Sequence, residues 1–257
     1  MEFQDKVVVV TGAAGIFGAW ITAAFAREGA RLCLSDRRPE ALEALVAELG
    51  LASDRVLLHP TELTDAASIE DLAQRVTARW NAADIVVNNA GVYPKGGLLD
   101  LPVEEWDRIM DTNLRAPFLV SRCMARRMIE AGIGGSIVNI GSGAARQMRN
   151  NVVPYCTSKT ALERLTKGLA LEFAPHKIRV NLVEPGFAPG SVVSPLSEEH
   201  VSSMRRRIPL ARTSGPEDAP GAILYLCSSR ASFITGTVLS VDGGNSIGTY
   251  EPTPAAG

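Results

Sequence analysis

The sequence predicts an α/β protein that is built on one doubly wound parallel sheet of about seven strands, with helices on both faces. Short apolar runs alternate with stretches of helical periodicity from one end of the chain to the other. The apolar runs are continuous, which is typical of parallel strands that are buried on both faces. No linker, repeat or low-complexity segment divides the 257 residues. Repeated βα units with right-handed crossovers therefore predict a single domain over residues 1–257.

The predicted elements follow one another in a regular order. Seven apolar, β-branched runs are predicted strands: Val7–Val10, Arg31–Ser35, Arg55–Leu58, Asp84–Asn88, Ser136–Ile140, Ile178–Val183 and Val238–Val241. Helical periodicity covers seven further stretches: Gly15–Glu28, Glu40–Leu49, Ala66–Trp80, Val103–Asp111, Thr112–Ala131, Pro154–Ala174 and Pro216–Ser229. The tail 245–257 ends in Pro-Thr-Pro-Ala-Ala-Gly and is expected to be loosely held.

Composition excludes several classes of function. The chain has 26 basic and 28 acidic side chains, so no basic excess favours a nucleic-acid partner. No apolar stretch is long enough for a membrane span, and the first residues do not resemble a secretory signal. The four cysteines form no close-spaced pairs, which disfavours a metal site or a disulfide framework. Free thiols then indicate a reducing cytoplasm.

The first strand leads into a glycine-rich turn, Thr11–Gly18, with glycines at positions 12, 15 and 18. Glycines between a strand and a helix let backbone amides approach a pyrophosphate, which the helix N-terminus attracts. The same glycines are also compatible with a simple tight turn.

Asp36 stands at the end of the second strand, 24 residues after Gly12. An acid at this place can accept hydrogen bonds from the adenosine ribose and repels a 2′-phosphate, which favours NAD over NADP. Arg37 and Arg38 follow and could bind that phosphate instead. A solvated acid in the turn before Pro39 is the alternative.

Ser142, Tyr155 and Lys159 form a candidate catalytic group. Tyr155 and Lys159 are four residues apart and project from one face of the predicted helix. Ser142 follows a predicted strand, at the sheet edge where open α/β sheets bind ligands.

Together with the other motifs, this group makes the chain resemble the short-chain dehydrogenase/reductase family over almost its whole length. The family's Asn-Asn-Ala-Gly motif lies at Asn88–Gly91, its helix asparagine matches Asn113, and its Ser, Tyr and Lys match Ser142, Tyr155 and Lys159. The Arg179–Asn181, Pro185–Gly186 and Val241–Gly244 motifs follow in the family's order.

The resemblance implies a Rossmann-type fold, NAD as the cofactor and a homotetramer of paired helices. Its catalytic residues would be Asn113, Ser142, Tyr155 and Lys159. The implied cofactor-binding residues are Gly12, Gly15, Ile16, Phe17, Gly18, Asp36, Glu62, Leu63, Asn89, Tyr155, Lys159, Gly186 and Ala188.

The sequence departs from the family pattern at three places. Ile16 replaces the middle glycine of the first turn, and Glu62 stands where an aspartate is common. Gly190 replaces a threonine that often binds the nicotinamide carboxamide, with Ser191 as a substitute.

The loop between Ser142 and Tyr155 is strongly polar, which points to a polar substrate. Arginine and amide groups suit carboxylate, sulfonate, phosphate or hydroxyl groups, so a sugar, polyol or anionic sugar-like alcohol is favoured. A solvated or subunit-contacting loop is the alternative. The expected substrate-binding residues are Tyr93, Ser142, Arg146, Gln147, Arg149, Asn151 and Tyr155.

The leading functional prediction is an NAD-dependent dehydrogenase of a polar secondary alcohol, in carbohydrate metabolism. One alternative is a 3-oxoacyl-thioester reductase, which in the same family usually prefers NADPH. The other alternative is a dinucleotide-sensing regulator without catalytic activity, which the filled catalytic positions disfavour.

Overall fold

The computed structural model describes residues 1–190 and 197–250. Its seven strands form one sheet in the order β3-β2-β1-β4-β5-β6-β7, and every neighbouring pair is parallel. The strands are β1 (Val7–Thr11), β2 (Arg31–Asp36), β3 (Val56–Pro60), β4 (Ile85–Asn88), β5 (Ser136–Ile140), β6 (Arg179–Pro185) and β7 (Val238–Val241). The predicted single-domain, doubly wound parallel sheet is confirmed.

Helices cover both faces of this sheet. They are α1 (Ile16–Arg27), α2 (Pro39–Glu48), α3 (Ala66–Trp80), α4 (Val103–Met110), α5 (Ala116–Glu130), α6 (Val153–Phe173), α7 (Glu198–Arg206) and α8 (Asp218–Cys227). Val8 and Val9 of β1 are both fully buried, each in the apolar core on a different side of the sheet. Burial on both faces explains why the strand sequences read as continuous apolar runs.

A π-helical turn, Asp111–Arg115, joins α4 to α5 where the sequence predicts two ordinary helices. The Ala116 amide donates to the carbonyl of Asp111, five residues back. Pro117 has no N–H, so the usual hydrogen bond to the Asn113 carbonyl cannot form. The wider turn is therefore encoded by the proline, and it places Asn113 inside the protein.

The helix α7 is missing from the sequence-based prediction because none of its residues is buried. Charges and a cap mark its ends instead. Ser197 accepts a hydrogen bond from the His200 amide, and two acids in the first turn oppose two arginines in the last. This charge distribution complements the helix dipole.

The expected loose tail begins with ordered residues. Ser246 is buried, and its amide donates to Asp242 Oδ2 at 2.8 Å. Residues 251–257 lie outside the described residues, and their loose order stays a prediction. Within the described ranges no helix combines the length and the apolar character that crossing a membrane requires.

Candidate active site

The strand order reverses between β1 and β4. The carboxyl ends of these two strands therefore form the crevice in which open α/β sheets bind ligands. The glycine turn after β1 is tightly packed there. Gly12 has a φ of +63°, and a Cβ atom at this residue would lie 2.8 Å from the Ala90 Cα. A Cβ atom at Gly18 would overlap the Gly12 carbonyl oxygen, whereas one at Gly15 would make an ordinary 3.4 Å contact. The turn therefore requires glycine at positions 12 and 18.

The N-terminus of α1 faces this crevice. Gly15 is the N-cap in an extended conformation and offers no side-chain cap, so the first amides of the helix are available to an anion. Ile16 and Phe17 are the first two helical residues and are half-buried. Because Ile16 lies inside the helix, the departure from glycine does not strain the backbone.

Asn89 does not point into the crevice as a free ligand. Its side chain donates to the carbonyls of Thr11 and Gly12 at 3.0 and 2.9 Å, and so holds the glycine turn. Thr11 reciprocates, since its hydroxyl accepts from the amides of Asn89 and Ala90. The sequence analysis missed Thr11, although a buried threonine at a strand end is a recognisable signal.

Asp36 lies beside the same turn, where the sequence analysis expected a ribose-binding acid. Its Oδ2 accepts from the Ala14 amide at 3.3 Å, and its Oδ1 forms an ion pair with Arg38 Nε at 3.1 Å. The acid therefore lies beside the glycine turn with the Arg38 guanidinium against it, and its contact with a ribose stays a prediction.

Two residues that follow β3 behave differently from each other. Glu62 is half-exposed at the rim and accepts two hydrogen bonds from Thr64. Leu63 is buried in the hydrophobic core, which leaves its backbone as the part that would contact a cofactor. The expected cofactor contact of Leu63 stays a prediction.

Lys159 and Tyr155 lie one helical turn apart on α6. Lys159 is buried, its Nζ donates to the Ile140 carbonyl at 2.8 Å, and burial lowers its pKa to about 8. The ammonium lies 5.8 Å from the centre of the Tyr155 ring. Burial raises the pKa of Tyr155 to about 12, and a hydrogen bond with Ser142 acts in the opposite direction. Lysine, tyrosine and serine are thus brought together.

Asn113 completes this group from the π-helical turn. Its Oδ1 accepts from the Val92 amide at 2.8 Å, and its Nδ2 donates to the Val92 carbonyl and to Ser158. A Cβ atom at Gly91 would lie 3.3 Å from Asn113 Oδ1 and 3.6 Å from Lys159 Nζ. A side chain at this position would therefore crowd Asn113 and Lys159.

The turn after β6 forms the far end of the crevice. A Cβ atom at Gly186 would lie 2.9 Å from the Asp242 Cα, so the backbone packs closely against the end of β7. Ala188 follows and is half-buried, and Gly190 has a φ of +101°. Ser191 lies outside the described residues.

Several of the expected substrate-binding residues surround Tyr155. The Tyr93 ring lies edge-on to it, with 4.6 Å between the ring centres. Arg149 lies close enough for its positive charge to lower the pKa of Tyr155 slightly, against the larger effect of burial. Asn151 has a φ of +62°, and its carbonyl accepts from the Gly96 amide at 2.9 Å. Gln147 is exposed on the same loop.

Arg146 does not point to a substrate. Its guanidinium forms a 2.7 Å ion pair with Glu184, whose side chain is fully buried. The expectation of an anion-binding role was wrong, because the charge is already neutralised. Glu184 itself was missed, and the signal was a single acid within the apolar run of β6.

The residues along the crevice suit the parts of a dinucleotide. The free amides of α1 suit a pyrophosphate, Asp36 suits a ribose at one end, and Lys159 lies at the other end.

Comparisons with known proteins agree with this geometry. A family model described as enoyl-(acyl carrier protein) reductase matches residues 12–246. The chain is 34% identical over 244 residues to a 3-oxoacyl-(acyl-carrier-protein) reductase of Thermotoga maritima, covering 95% of this chain and 99% of the relative. It is 35% identical over 251 residues to a D-threitol dehydrogenase of Mycolicibacterium smegmatis, covering 96% and 95%.

A solved structure supports the same assignment. The 3-ketoacyl-(acyl-carrier-protein) reductase of Brucella melitensis, complexed with NADH, superimposes with a TM-score of 0.86 at 31% identity, covering 95% of this chain and 99% of that one. Matches of this extent, on a sheet and a Ser-Tyr-Lys group of this geometry, show that the chain belongs to the short-chain dehydrogenase/reductase family, whose members bind a nicotinamide dinucleotide.

Proposed function

We propose that this protein is an NAD-dependent dehydrogenase that acts on a polar secondary alcohol such as a sugar, a polyol or an anionic sugar-like compound. The grouping of Ser142 and Lys159 around Tyr155, with Asn113 and Lys159 both close to Gly91, carries the proposal. It supports proton transfer to or from an alcohol oxygen next to the dinucleotide crevice.

Ser142 and Tyr155 have different roles in this proton transfer. The Ser142 hydroxyl orients the substrate oxygen, and the Tyr155 phenol exchanges a proton with it. A pKa near 12 keeps Tyr155 protonated at neutral pH, which suits it as the acid in the reductive direction. Oxidation requires the phenolate, which the positive charge of Lys159 stabilises. A bound nicotinamide dinucleotide supplies or accepts the hydride.

Asp36 supports NAD as the preferred dinucleotide. Its carboxylate lies beside the glycine turn, within reach of the Ala14 amide. A carboxylate there accepts hydrogen bonds from ribose hydroxyls and repels a 2′-phosphate. The related Brucella melitensis enzyme is complexed with NADH.

The surroundings of Tyr155 support a polar substrate. Arg149 makes no ion pair with any residue that the structure describes, which leaves its charge available to an anionic group. Tyr93 is a second phenol beside Tyr155, with its ring nearly perpendicular to the Tyr155 ring. Two relatives, a D-threitol dehydrogenase and a sorbitol dehydrogenase, are named after polyol substrates.

The test is a screen of NAD⁺ reduction against polyols, sugars, sugar acids and sulfonated sugars. Tyr155→Phe should abolish turnover while NAD⁺ still binds in a calorimetric titration, because the ring keeps its place and loses only the proton. Near-normal turnover in this variant would refute the mechanism. Arg149→Gln should weaken binding of an anionic substrate and leave a neutral polyol unaffected.

A 3-oxoacyl-thioester reductase is the second candidate. The ion pair that places Arg38 over Asp36 favours it, because an arginine at this place can bind a 2′-phosphate. The family description and the Thermotoga maritima relative point the same way. Faster reduction of an acetoacetyl thioester with NADPH than any polyol oxidation with NAD⁺ would select this function.

A homotetramer in the cytoplasm is the third part of the proposal. Leu114, Phe118 and Leu165 line an apolar groove on the outer face of α5 and α6, and Phe118 remains 36% exposed. A second copy of the chain covering this face would bury it. The four cysteines are free thiols, which is consistent with a reducing compartment.

A further inference from the structure

Two carboxyl groups, one fully buried and one partly buried, lie beside the turn that carries Ser142. Glu184 is near the end of β6, and Glu163 is on α6, one helical turn after Lys159. Among the described residues, the Oε1 atoms of both side chains are buried without a hydrogen-bond donor. Two such oxygens are costly to bury unless they share a proton. The two carboxyl groups are hydrogen-bonded to each other, which requires a proton on one of them.

The charges around the pair favour the protonated state. Burial raises the pKa of Glu163, and the hydrogen bond and negative charge of Glu184 act in the same direction. The other charged groups that face Glu163 are Arg146, from the turn after Ser142, and Lys167, from α6; both act in the opposite direction. These effects together raise the pKa of Glu163 above the ordinary value of a glutamate.

The second oxygen of Glu184 connects the pair to the catalytic serine. Its Oε2 accepts from Arg146 at 2.7 Å and from the Ser240 hydroxyl of β7 at 2.5 Å. Arg146 closes the short helical turn that Ser142 caps, since its amide donates to the Gly143 carbonyl at 3.2 Å. The guanidinium thus ties this turn to β6 and β7.

We propose that Glu163, Glu184 and Arg146 are positioning residues that hold Ser142 in place through one shared proton, and that loss of this proton as the pH rises loosens the turn. Once both carboxylates are charged they repel each other and compete for the Arg146 guanidinium, which weakens the contact that fixes the turn. The positioning of the Ser142 turn rests on the contacts described above, whereas the effect on turnover rests on the proposed function.

The test measures hydrogen–deuterium exchange in the peptide 142–147 at pH 5 and pH 9, corrected for the intrinsic exchange rate. In Glu163→Gln, an amide hydrogen replaces the shared proton at every pH. The wild type should lose about fivefold protection between the two pH values and this variant less than about twofold. Glu172→Gln, an exposed change on the same helix, should behave like the wild type. Equal loss in the wild type and Glu163→Gln would overturn the proposal.

A second variant keeps the test decisive if Glu163→Gln does not fold. Glu184→Gln retains the shape of the side chain but removes the ion pair with Arg146. Peptide 142–147 should then exchange rapidly at both pH values, and protection equal to the wild type would overturn the proposal. These measurements need no substrate. Failure to find an alcohol that the protein oxidises would therefore count against the proposed function alone. With such an alcohol, kcat of Glu163→Gln should depend less on pH than that of the wild type.

Discussion

Replacing Gly18 by alanine tests how tightly the turn after β1 is packed. The added Cβ atom would overlap the Gly12 carbonyl oxygen and lie 2.8 Å from the Cα and carbonyl carbon of Ala13. All of these are backbone atoms, so none can rotate away as a flexible side chain would. Overpacking of this kind costs up to about 3 kcal/mol, and the better helix propensity of alanine returns about 1 kcal/mol. The net loss in the free energy of unfolding should be about 2 kcal/mol.

Gly15→Ala is the matched control in the same turn. Its Cβ atom would make one 3.4 Å contact, and the loss of a glycine N-cap should cost less than about 1 kcal/mol. For a chain of this size, a net loss of about 2 kcal/mol in Gly18→Ala corresponds to a fall in Tm of about 4–8 °C. Calorimetric unfolding measures the fall, and a titration with NAD⁺ should show weaker binding. If both variants unfold within about 1 °C of each other, the packing argument is wrong.

Three further predictions concern charge. Burial lowers the pKa of Lys159 to about 8, against 10.5 for an ordinary lysine, so the unfolded chain binds the proton more tightly. Wild-type stability should therefore rise between these pH values; urea unfolding of Lys159→Met should lack this rise, and an equal rise would contradict the pKa. Asp36→Ala removes the repulsion of a 2′-phosphate and frees Arg38, so the ratio of kcat/KM for NADP⁺ to that for NAD⁺ should increase about tenfold, and an unchanged ratio would remove the acid from cofactor selection. Phe118→Asp places a charge in the apolar groove and should dissociate the proposed homotetramer in light scattering, whereas an unchanged mass would locate the interface elsewhere or contradict the assembly.

The features that the sequence predicts well depend on local spacing. Strands buried on both faces have an unmistakable apolar pattern, and the four-residue step from Tyr155 to Lys159 places both on one helix face. The place of Ser142 could also be predicted, because the carboxyl ends of parallel strands lie together at the side of the sheet where ligands bind. The family resemblance added Asn113, which no periodicity would have selected.

The features that the sequence does not predict depend on partners that are distant in the chain. Arg146 looks like an anion ligand until Glu184 is placed beside it by the pairing of β5 with β6. Leu63 lies in a motif position but is turned into the core. The helix α7 has no buried residues, so an apolar pattern could not reveal it.

The hydrogen bond between the Gly96 amide and the Asn151 carbonyl has a consequence for how this protein can evolve. It joins the two loops beside Tyr155 through main-chain atoms, so its formation does not require particular side chains at Tyr93 or Arg149. Replacements at Tyr93 or Arg149 can then alter the lining of the pocket while the spacing of its walls is inherited unchanged. A scaffold of this kind lets substrate preference drift by single substitutions, which fits a family in which relatives of about one-third identity are named for alditols and for acyl thioesters.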